Sequence, residues 1–211
     1  MMKDNFNIDN DCKKLGIQTP LDFYIEQRKA LKGCPDEKLN FIEFWELKVK
    51  EARLFAQYQI RHKHYDNFSY MYHIEEVVRY ARYYAKDGSV EQLIAEIVAL
   101  LHGIIEDGDV TYNDVKKEFG EFVAECAYRV SDEKGRNRKA RKPDSLYEEM
   151  KEIVMSTFIK LCDRFSNCKN SKMRKGSMGS TYQKEHKPFK EKLYEKGVLE
   201  RVWGDLEEFI R

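Results

Sequence analysis

Hydrophobic residues recur along most of the chain three or four positions apart, which is the pattern of helices with one buried face. The spacing predicts a first helix that begins at Pro20 and a last helical region that runs from Tyr182 to near the C-terminus. Between them it predicts helices over 41–61, 73–84, 90–102, 111–130 and 144–169. Runs in which polar and apolar residues alternate, as strands require, are few. The sequence therefore predicts an all-α fold in the form of a compact multi-helix bundle.

Several residues mark where these helices should begin and end. Pro20 suits a first helical turn, and Ser89 is a typical N-cap residue. Thr111, followed three positions later by Asp114, has the spacing of a capping box, and Gly120 predicts a break or bend. We expect residues 1–19 to be a loose lead-in and residues 169–180 to form a mobile loop. The expected division is an N-terminal helical extension, 1–40, and one domain, 41–211.

One apolar stretch, Val98 to Asp107, carries three residues suited to chemistry. His102 and Glu106 are four positions apart, so a continuous helix would place them on the same face, with Asp107 one step round. A histidine and two carboxylates on a buried helix are costly unless they are paired or bind a metal. The alternative is a helix end with a solvated acidic tip.

Two further polar residues, His73 and Asp163, lie within apolar helical runs of their own. Two imidazoles and a carboxylate suit a divalent transition metal such as Mn, Fe or Zn. Taken singly, each histidine is more simply a hydrogen-bonded core residue, and the joint occurrence with Asp163 favours the metal site. Asn167 is four residues after Asp163 and is expected on the same helix face.

Composition limits the class of partner. The chain has 38 Lys and Arg against 37 Asp and Glu, a net charge of +1 that argues against a general nucleic-acid or membrane surface. No apolar run is long enough for a membrane span, and no apolar signal region is seen at the N-terminus. The five cysteines form no Cys-x-x-Cys pair, which favours reduced thiols in a cytoplasmic protein.

A local cluster of charge runs against this neutral average. Six of the nine residues from Lys134 to Lys142 are basic. Such a run is usually a solvated loop, but its place between two predicted helices also suits an anion clamp.

Motifs spread along the chain resemble those of the HD-domain phosphohydrolases, and more narrowly the hydrolase domain of the RelA/SpoT family with its small alarmone hydrolases. They occur in the family's order and cover roughly residues 50–195. The matching segments are Arg61-His-Lys63, Tyr70-Met-Tyr-His73, Leu100-Leu-His102 with Ile104-Ile-Glu-Asp107, Val110-Thr111 through Phe119-Gly120, Val130-Ser-Asp-Glu-Lys134, and Lys160-Leu-Cys-Asp163 through Asn167.

This resemblance implies an HD-domain bundle that releases pyrophosphate from the 3′ position of a guanosine polyphosphate, with another 3′-phosphorylated nucleotide such as NADPH as an alternative. It implies that His73, His102 and Asp163 hold the metal, and that Glu106 and Asp107 orient or activate the attacking water. The substrate contacts that it implies are Arg61, Lys63, Lys134, Arg138, Asn167, Tyr182 and Lys184.

One position departs from the family pattern. The paired His-Asp motif is His102-Gly103 here, so the ligand expected from the second residue is missing. Three explanations stay open: a deliberate inactivating change, a natural pseudoenzyme that binds nucleotide without cleaving it, or a metal held by three ligands with water and Glu106 or Asp107. We favour an active parent enzyme because the Glu-Asp pair is intact. Beside a hydrolase and a pseudoenzyme, a third class of function is an RNA- or protein-binding module using residues 134–142. The nearly neutral net charge fits this class less well.

Overall fold

The computed structural model describes residues 6–30, 32–33, 38–65, 67–132, 143–174 and 178–211. The predicted all-α fold is confirmed. The only strands in the described ranges form a short antiparallel hairpin, in which His64 lies opposite Ser69. The elements are α1 Ile8–Leu15, α2 Pro20–Ala30, α3 Phe41–Gln59, β1 His64–Tyr65, β2 Phe68–Ser69, α4 Tyr70–Tyr84, α5 Val90–Leu101, α6 Ile104–Asp107, α7 Tyr112–Phe119, α8 Glu121–Val130, α9 Asp144–Lys151, α10 Val154–Arg174, α11 Met178–Leu193 and α12 Glu200–Ile210.

Helix ends lie where the local signals predict them. The Ser89 side chain accepts a hydrogen bond from Gln92 N, and Thr111 and Asp114 form the expected capping box at the start of α7. Gly120 separates α7 from α8 with a φ of 89°, and a Cβ there would lie 2.9 Å from Phe23 Cγ. Gly120 is therefore required both by its backbone conformation and by the close approach of α2.

Two helices form the centre of the bundle. Helix α5 packs against α3, α4, α8 and α10, and α10 also packs against α4, α8, α9, α11 and α12. All residues from Ile94 to Leu101 are buried, which accounts for the continuous apolar run in α5. Among the described residues, we find no helix both long and apolar enough to cross a lipid bilayer. The carboxyl end of α5 and the middle of α10 meet at the candidate site.

Three sequence predictions about where helices begin and end were wrong. The predicted lead-in contains α1, which the Asn7 side chain caps and which Gly16 ends in a left-handed conformation with a φ of 67°. The predicted helix 144–169 is two helices, because the chain breaks at Glu152 and Ile153 to bury Ile153. Helix α10 then continues to Arg174 through the predicted mobile loop, since its last turns bury small polar residues such as Ser171. Periodicity alone does not reveal such packing.

The central stretch also differs from its prediction. Helix α5 ends at Leu101, His102 has extended backbone angles, and Gly103 adopts the left-handed region with a φ of 77° before α6 begins. His102 and Glu106 are therefore not successive turns of one helix. Glycine has no Cβ and enters this region without steric cost, which permits the reversal.

Candidate active site

Side chains from α4, from α10 and from the residue that follows α5 meet at the centre of the bundle. His73 comes from α4, His102 follows the last residue of α5, and Asp163 comes from α10. The His73 Nε2 atom lies 3.2 Å from His102 Nε2 and 3.2 Å from Asp163 Oδ1. One ligand atom from each residue falls within 4.8 Å of the others. The structure thus brings the three residues together, and their role as metal ligands stays a prediction.

The outer ring nitrogens fix how these histidines face the centre. His102 Nδ1 lies 2.6 Å from the Ala99 carbonyl oxygen, which only accepts, so Nδ1 carries the proton and Nε2 presents a lone pair. His73 Nδ1 lies 2.9 Å from Ser166 Oγ, and its ring stacks on Tyr65 at 4.6 Å between centroids. Metal-binding histidines usually have such partners. Two Nε2 atoms and a carboxylate at this spacing suit a divalent cation.

The protonation states also fit a cation. Burial disfavours ionisation of Asp163, but the hydrogen bond with His73 and the charge of Lys160 hold the pKa of this carboxyl well below its usual range. Burial, assisted by His73, lowers the pKa of His102 to about 4. At neutral pH Asp163 is therefore an anion and His102 is neutral, which are the states that metal binding requires.

A polar cavity of about 240 Å³ opens over these side chains. Glu106 and Asp107 line it from α6, and each has a fixed hydrogen-bond donor. Tyr70 donates its hydroxyl to Asp107 Oδ2 at 2.9 Å, and the Asp132 N–H donates to Glu106 Oε2 at 3.1 Å. Burial, with the nearby charges of Asp132 and Asp107, raises the pKa of Glu106. This carboxylate is thereby made a better proton acceptor.

The opposite wall comes mainly from α10. Asn167 Nδ2 donates to Asp163 Oδ1 at 2.5 Å, which confirms that the two residues share a helix face. Tyr65 donates its hydroxyl to Asn167 Oδ1 at 2.6 Å. The Arg164 guanidinium lies 5.0 Å from the ring centroid of Tyr182, and both residues line the cavity. Asn167 and Tyr182 therefore occupy the cavity wall, and their contacts with substrate stay predictions.

Sequence reasoning assigned no role to several residues of this cavity: Tyr65, Tyr70, Asp132, Lys160 and Arg164. All but Tyr65 lie within the matching motif segments. The argument that singled out Asp163, a charged residue in an apolar run, applies equally to Lys160 and Arg164. Tyr65 and Tyr70 gave no such signal, because their partners are 102 and 37 positions away along the chain.

Three of the other predicted substrate residues do not line this cavity. Arg61 is exposed, with its guanidinium 4.2 Å from the ring centroid of Tyr58 and Nη1 donating to the Tyr58 carbonyl at 2.5 Å. Lys63 and Lys184 are exposed and do not line the cavity formed by the described residues. Lys134 and Arg138 belong to positions 133–142, which fall outside the described residues. The substrate roles of all five residues stay predictions.

Comparisons with known proteins bear on the fold. No model of a protein family matches the chain. Over 86 residues it is 33% identical to the guanosine-3′,5′-bis(diphosphate) 3′-pyrophosphohydrolase MESH1 of Drosophila melanogaster. That match spans 39% of this chain and 48% of MESH1, so the chain covers about half the length of this curated relative.

A solved structure extends the likeness beyond this segment. It is that of a metazoan ortholog of SpoT described as hydrolysing ppGpp, and it matches with a TM-score of 0.63 and 22% sequence identity over 78% of this chain and 94% of that one. The chain shares the fold of this ppGpp hydrolase. The similarity to MESH1 in sequence and to the SpoT ortholog in fold agrees with the RelA/SpoT-type resemblance drawn from the motifs.

Gly103 remains the position at which the chain departs from the motif pattern. It lines the cavity, and a Cβ at this position would lie 3.2 Å from the Tyr70 hydroxyl and 4.0 Å from Asp107 Oδ2. A side chain here would therefore point at the hydrogen bond between Tyr70 and Asp107. It would also have to adopt a positive φ, which Asp and Asn tolerate better than most residues.

Proposed function

We propose that this protein is a metal-dependent nucleotide phosphohydrolase that releases pyrophosphate from the 3′ position of a (p)ppGpp-type nucleotide. The observation that carries the proposal is the meeting of His73, His102 and Asp163 below a polar cavity, with two carboxylates beside it. Two similar proteins support the choice of substrate: MESH1 is named as a 3′-pyrophosphohydrolase, and the SpoT ortholog is described as hydrolysing ppGpp.

The donor set defines the cofactor that we propose. His73 Nε2, His102 Nε2 and Asp163 Oδ1 would hold a divalent ion, with Mn expected first and Zn or Fe as alternatives. When bound, such an ion lowers the pKa of a coordinated water and neutralises charge on phosphoryl oxygens. Three protein ligands leave room for water or substrate, which is typical of catalytic rather than structural sites.

Glu106 is the residue that we assign as general base. Its raised pKa is closer to neutral pH, and a general base is most effective when its pKa lies near the working pH. The Asp132 N–H holds one oxygen and so fixes the orientation of the carboxylate, which would take a proton from the attacking water. Asp107, fixed by the Tyr70 hydroxyl, would orient the same water.

Arg164 is the cation that we assign to the polyphosphate. Its side chain is buried over the rings of Tyr182 and Phe189, so its planar guanidinium is held at the cavity wall. A guanidinium group can donate two parallel hydrogen bonds to two oxygens of a phosphate, and a low local dielectric strengthens the attraction. Lys134 and Arg138 remain proposed contributors from the basic run. Asn167 would bind the sugar or an outer phosphate, and Tyr182 would pack against the nucleoside.

The test is pyrophosphate release from ppGpp with added Mn²⁺, measured together with the metal content of the purified protein. We expect turnover that a chelator abolishes and that His73→Ala removes together with bound metal. His186→Ala is the matched control, because His186 is a partly buried histidine of α11 outside the cavity lining. Turnover that persists in His73→Ala at the wild-type rate would contradict the proposal.

Gly103 favours a second candidate, a nucleotide-binding pseudoenzyme or regulator. The cavity and its polar walls are kept, while position 103 supplies no carboxylate. Calorimetric binding of ppGpp without release of pyrophosphate at saturating Mn²⁺ would identify this class. Turnover of NADPH but not of ppGpp would instead keep the hydrolase and change its substrate.

A further inference from the structure

Lys160 is a buried cation in the middle of α10. Only 6% of its surface is exposed, and lysine is rarely buried to this degree unless it is paired. Its ammonium group donates to the Val130 carbonyl at 2.9 Å and to Asp132 Oδ1 at 2.9 Å. Both acceptors belong to the end of α8 and the turn that follows it, so Lys160 ties this turn to α10.

The same turn reaches the proposed base. The Asp132 N–H donates to Glu106 Oε2 at 3.1 Å, so contacts run without a gap from Lys160 through Asp132 to Glu106. Ser131 strengthens the turn by donating its hydroxyl to the Ala127 carbonyl at 2.8 Å. Because each contact is short and mostly shielded from water, moving Lys160 should move the donor that faces Glu106.

Glu106 needs this external support because its own helix is short. Helix α6 has four residues and follows the left-handed Gly103, which provides no side-chain cap. A single helical turn holds its side chains weakly, since most of its backbone groups lack partners within the helix.

We propose that Lys160 is a positioning residue for Glu106 and that it acts through Asp132. The inference rests on the proposed function, in which Glu106 takes the proton of the attacking water. Lys160 touches neither substrate nor water in this role. It fixes the turn so that the Asp132 N–H holds one Glu106 oxygen and thereby sets the orientation of the carboxylate.

The charges around Glu106 give the expected sign of a change. Asp107 faces it from α6, Asp132 from the turn and Lys160 from α10. Burial and the two aspartates raise the pKa of Glu106, whereas the Asp132 N–H and the charge of Lys160 oppose that rise. Removing Lys160 deletes its positive charge and loosens the hydrogen bond from the Asp132 N–H. Both effects should raise the pKa of Glu106 further.

The experiment compares Lys160→Met and Lys160→Arg with Lys48→Met in the full chain. Lys48 is the matched control, because it is a buried lysine with 9% exposure, paired with Glu51 at 2.7 Å on α3. Carboxyl ¹³C NMR on metal-free protein gives the titration of Glu106, and kcat and KM are measured with excess Mn²⁺. Thermal unfolding reports stability, and Lys160→Gln replaces Lys160→Met if the latter does not fold.

In Lys160→Met we expect a raised Glu106 pKa and a kcat lower by about 10- to 100-fold, because misplacing a base has effects of this order. KM should hardly change. In Lys160→Arg, the Glu106 pKa and kcat should both return part of the way to their wild-type values. Lys48→Met should lower thermal stability without moving Glu106.

An unchanged Glu106 titration in Lys160→Met would overturn the proposal by reducing Lys160 to a structural residue. Full recovery of kcat by excess Mn²⁺ would assign Lys160 to the neighbouring metal ligand Asp163 instead. A raised KM at constant kcat would make it a phosphate contact. If the wild type itself shows no turnover, the proposed function fails, while the NMR titration still decides whether Lys160 positions Glu106.

Discussion

The two sides of the cavity present their residues in different ways. On one side, Asp163 and Asn167 stand one turn apart on α10, a continuous helix of 21 residues packed against six others. On the other side, α5 ends, His102 and Gly103 reverse the backbone, and the four-residue α6 carries Glu106. The first arrangement takes its geometry from a rigid helix, and the second takes it from individual hydrogen bonds.

This difference indicates how each side should respond to change. On α10 a substitution removes a chemical group while the backbone stays in place. At the junction between α5 and α6 a substitution also changes the backbone, because Gly103 has a positive φ and the carboxylates rely on Tyr70 and Asp132.

The largest effect is expected on the rigid side. Asp163→Asn removes the anionic ligand and should abolish metal binding and reduce pyrophosphate release by roughly a thousandfold or more, because a metal supplies several kcal/mol of charge stabilisation. Circular dichroism should show an intact fold. Asp205→Asn, a change on α12 away from the cavity, is the control, and metal retained at the wild-type level in Asp163→Asn would remove this residue from the ligand set.

The second effect concerns His102 and pH. Its pKa is about 4 in the folded protein and 6.5 in the reference state, so in this window the unfolded chain binds the extra proton. The free energy of unfolding should therefore fall as pH drops from about 6.5 to 4, by up to about 3 kcal/mol from this residue. Urea unfolding of metal-free protein measures it. His102→Gln should lose this component of the slope and exposed His62→Gln should keep it; equal slopes in all three proteins would refute the assignment.

A smaller effect is expected at Gly103 itself. Gly103→Ala should lower the free energy of unfolding by about 1–2 kcal/mol, the usual strain of a side chain at positive φ, and Gly103→Asn by less. Gly103→Asp should raise metal occupancy and hydrolysis together. Adding Tyr70→Phe, which removes the hydroxyl 3.2 Å from the new Cβ, should raise metal occupancy further. Gly16→Asp is the control, because Gly16 has a φ of 67° in open space. No gain of metal in either background would mean that three ligands complete the site.

The smallest effect is expected from Tyr65→Phe, which removes only the hydroxyl that donates to Asn167. The free energy of unfolding should fall by about 1 kcal/mol, and KM should rise a few-fold because Asn167 loses its orientation. Tyr84→Phe removes a similar bond, to Asp205 at 3.0 Å, and should affect stability alone. A KM that rises equally in both variants would show that the change is not local to the cavity.

The same contrast explains what could be predicted from sequence. Periodicity and caps predicted α5, α7 and the shared face of Asp163 and Asn167, because these depend on residues within one or two turns. The reversal at Gly103 was missed, since a glycine inside an apolar run fits a helix pattern as well as a break. The helix α1 was missed because its polar residues conceal a short buried face formed by Ile8 and Cys12.

The partners of the site residues were the least predictable part. Tyr70 meets Asp107 across 37 positions and Lys160 meets Asp132 across 28, and such distant pairs leave no local pattern. Lys160 and Arg164 had a partial signal in the sequence, because their charges interrupt an apolar helical run. Arg61 and Lys63 were assigned by motif alone, and their exposed positions follow from the end of α3.

The three candidate ligands come from distant points of the chain, and this affects the stability of the bundle. His73 and His102 are 29 residues apart, and Asp163 is another 61 residues along the chain, from 102 to 163. An ion held by all three would be a cross-link that closes two long chain loops at the centre of the protein. At a free metal concentration of a hundred times Kd it would add about 2.7 kcal/mol to the free energy of unfolding. Catalytic competence and resistance to unfolding would then rise and fall with the same ion.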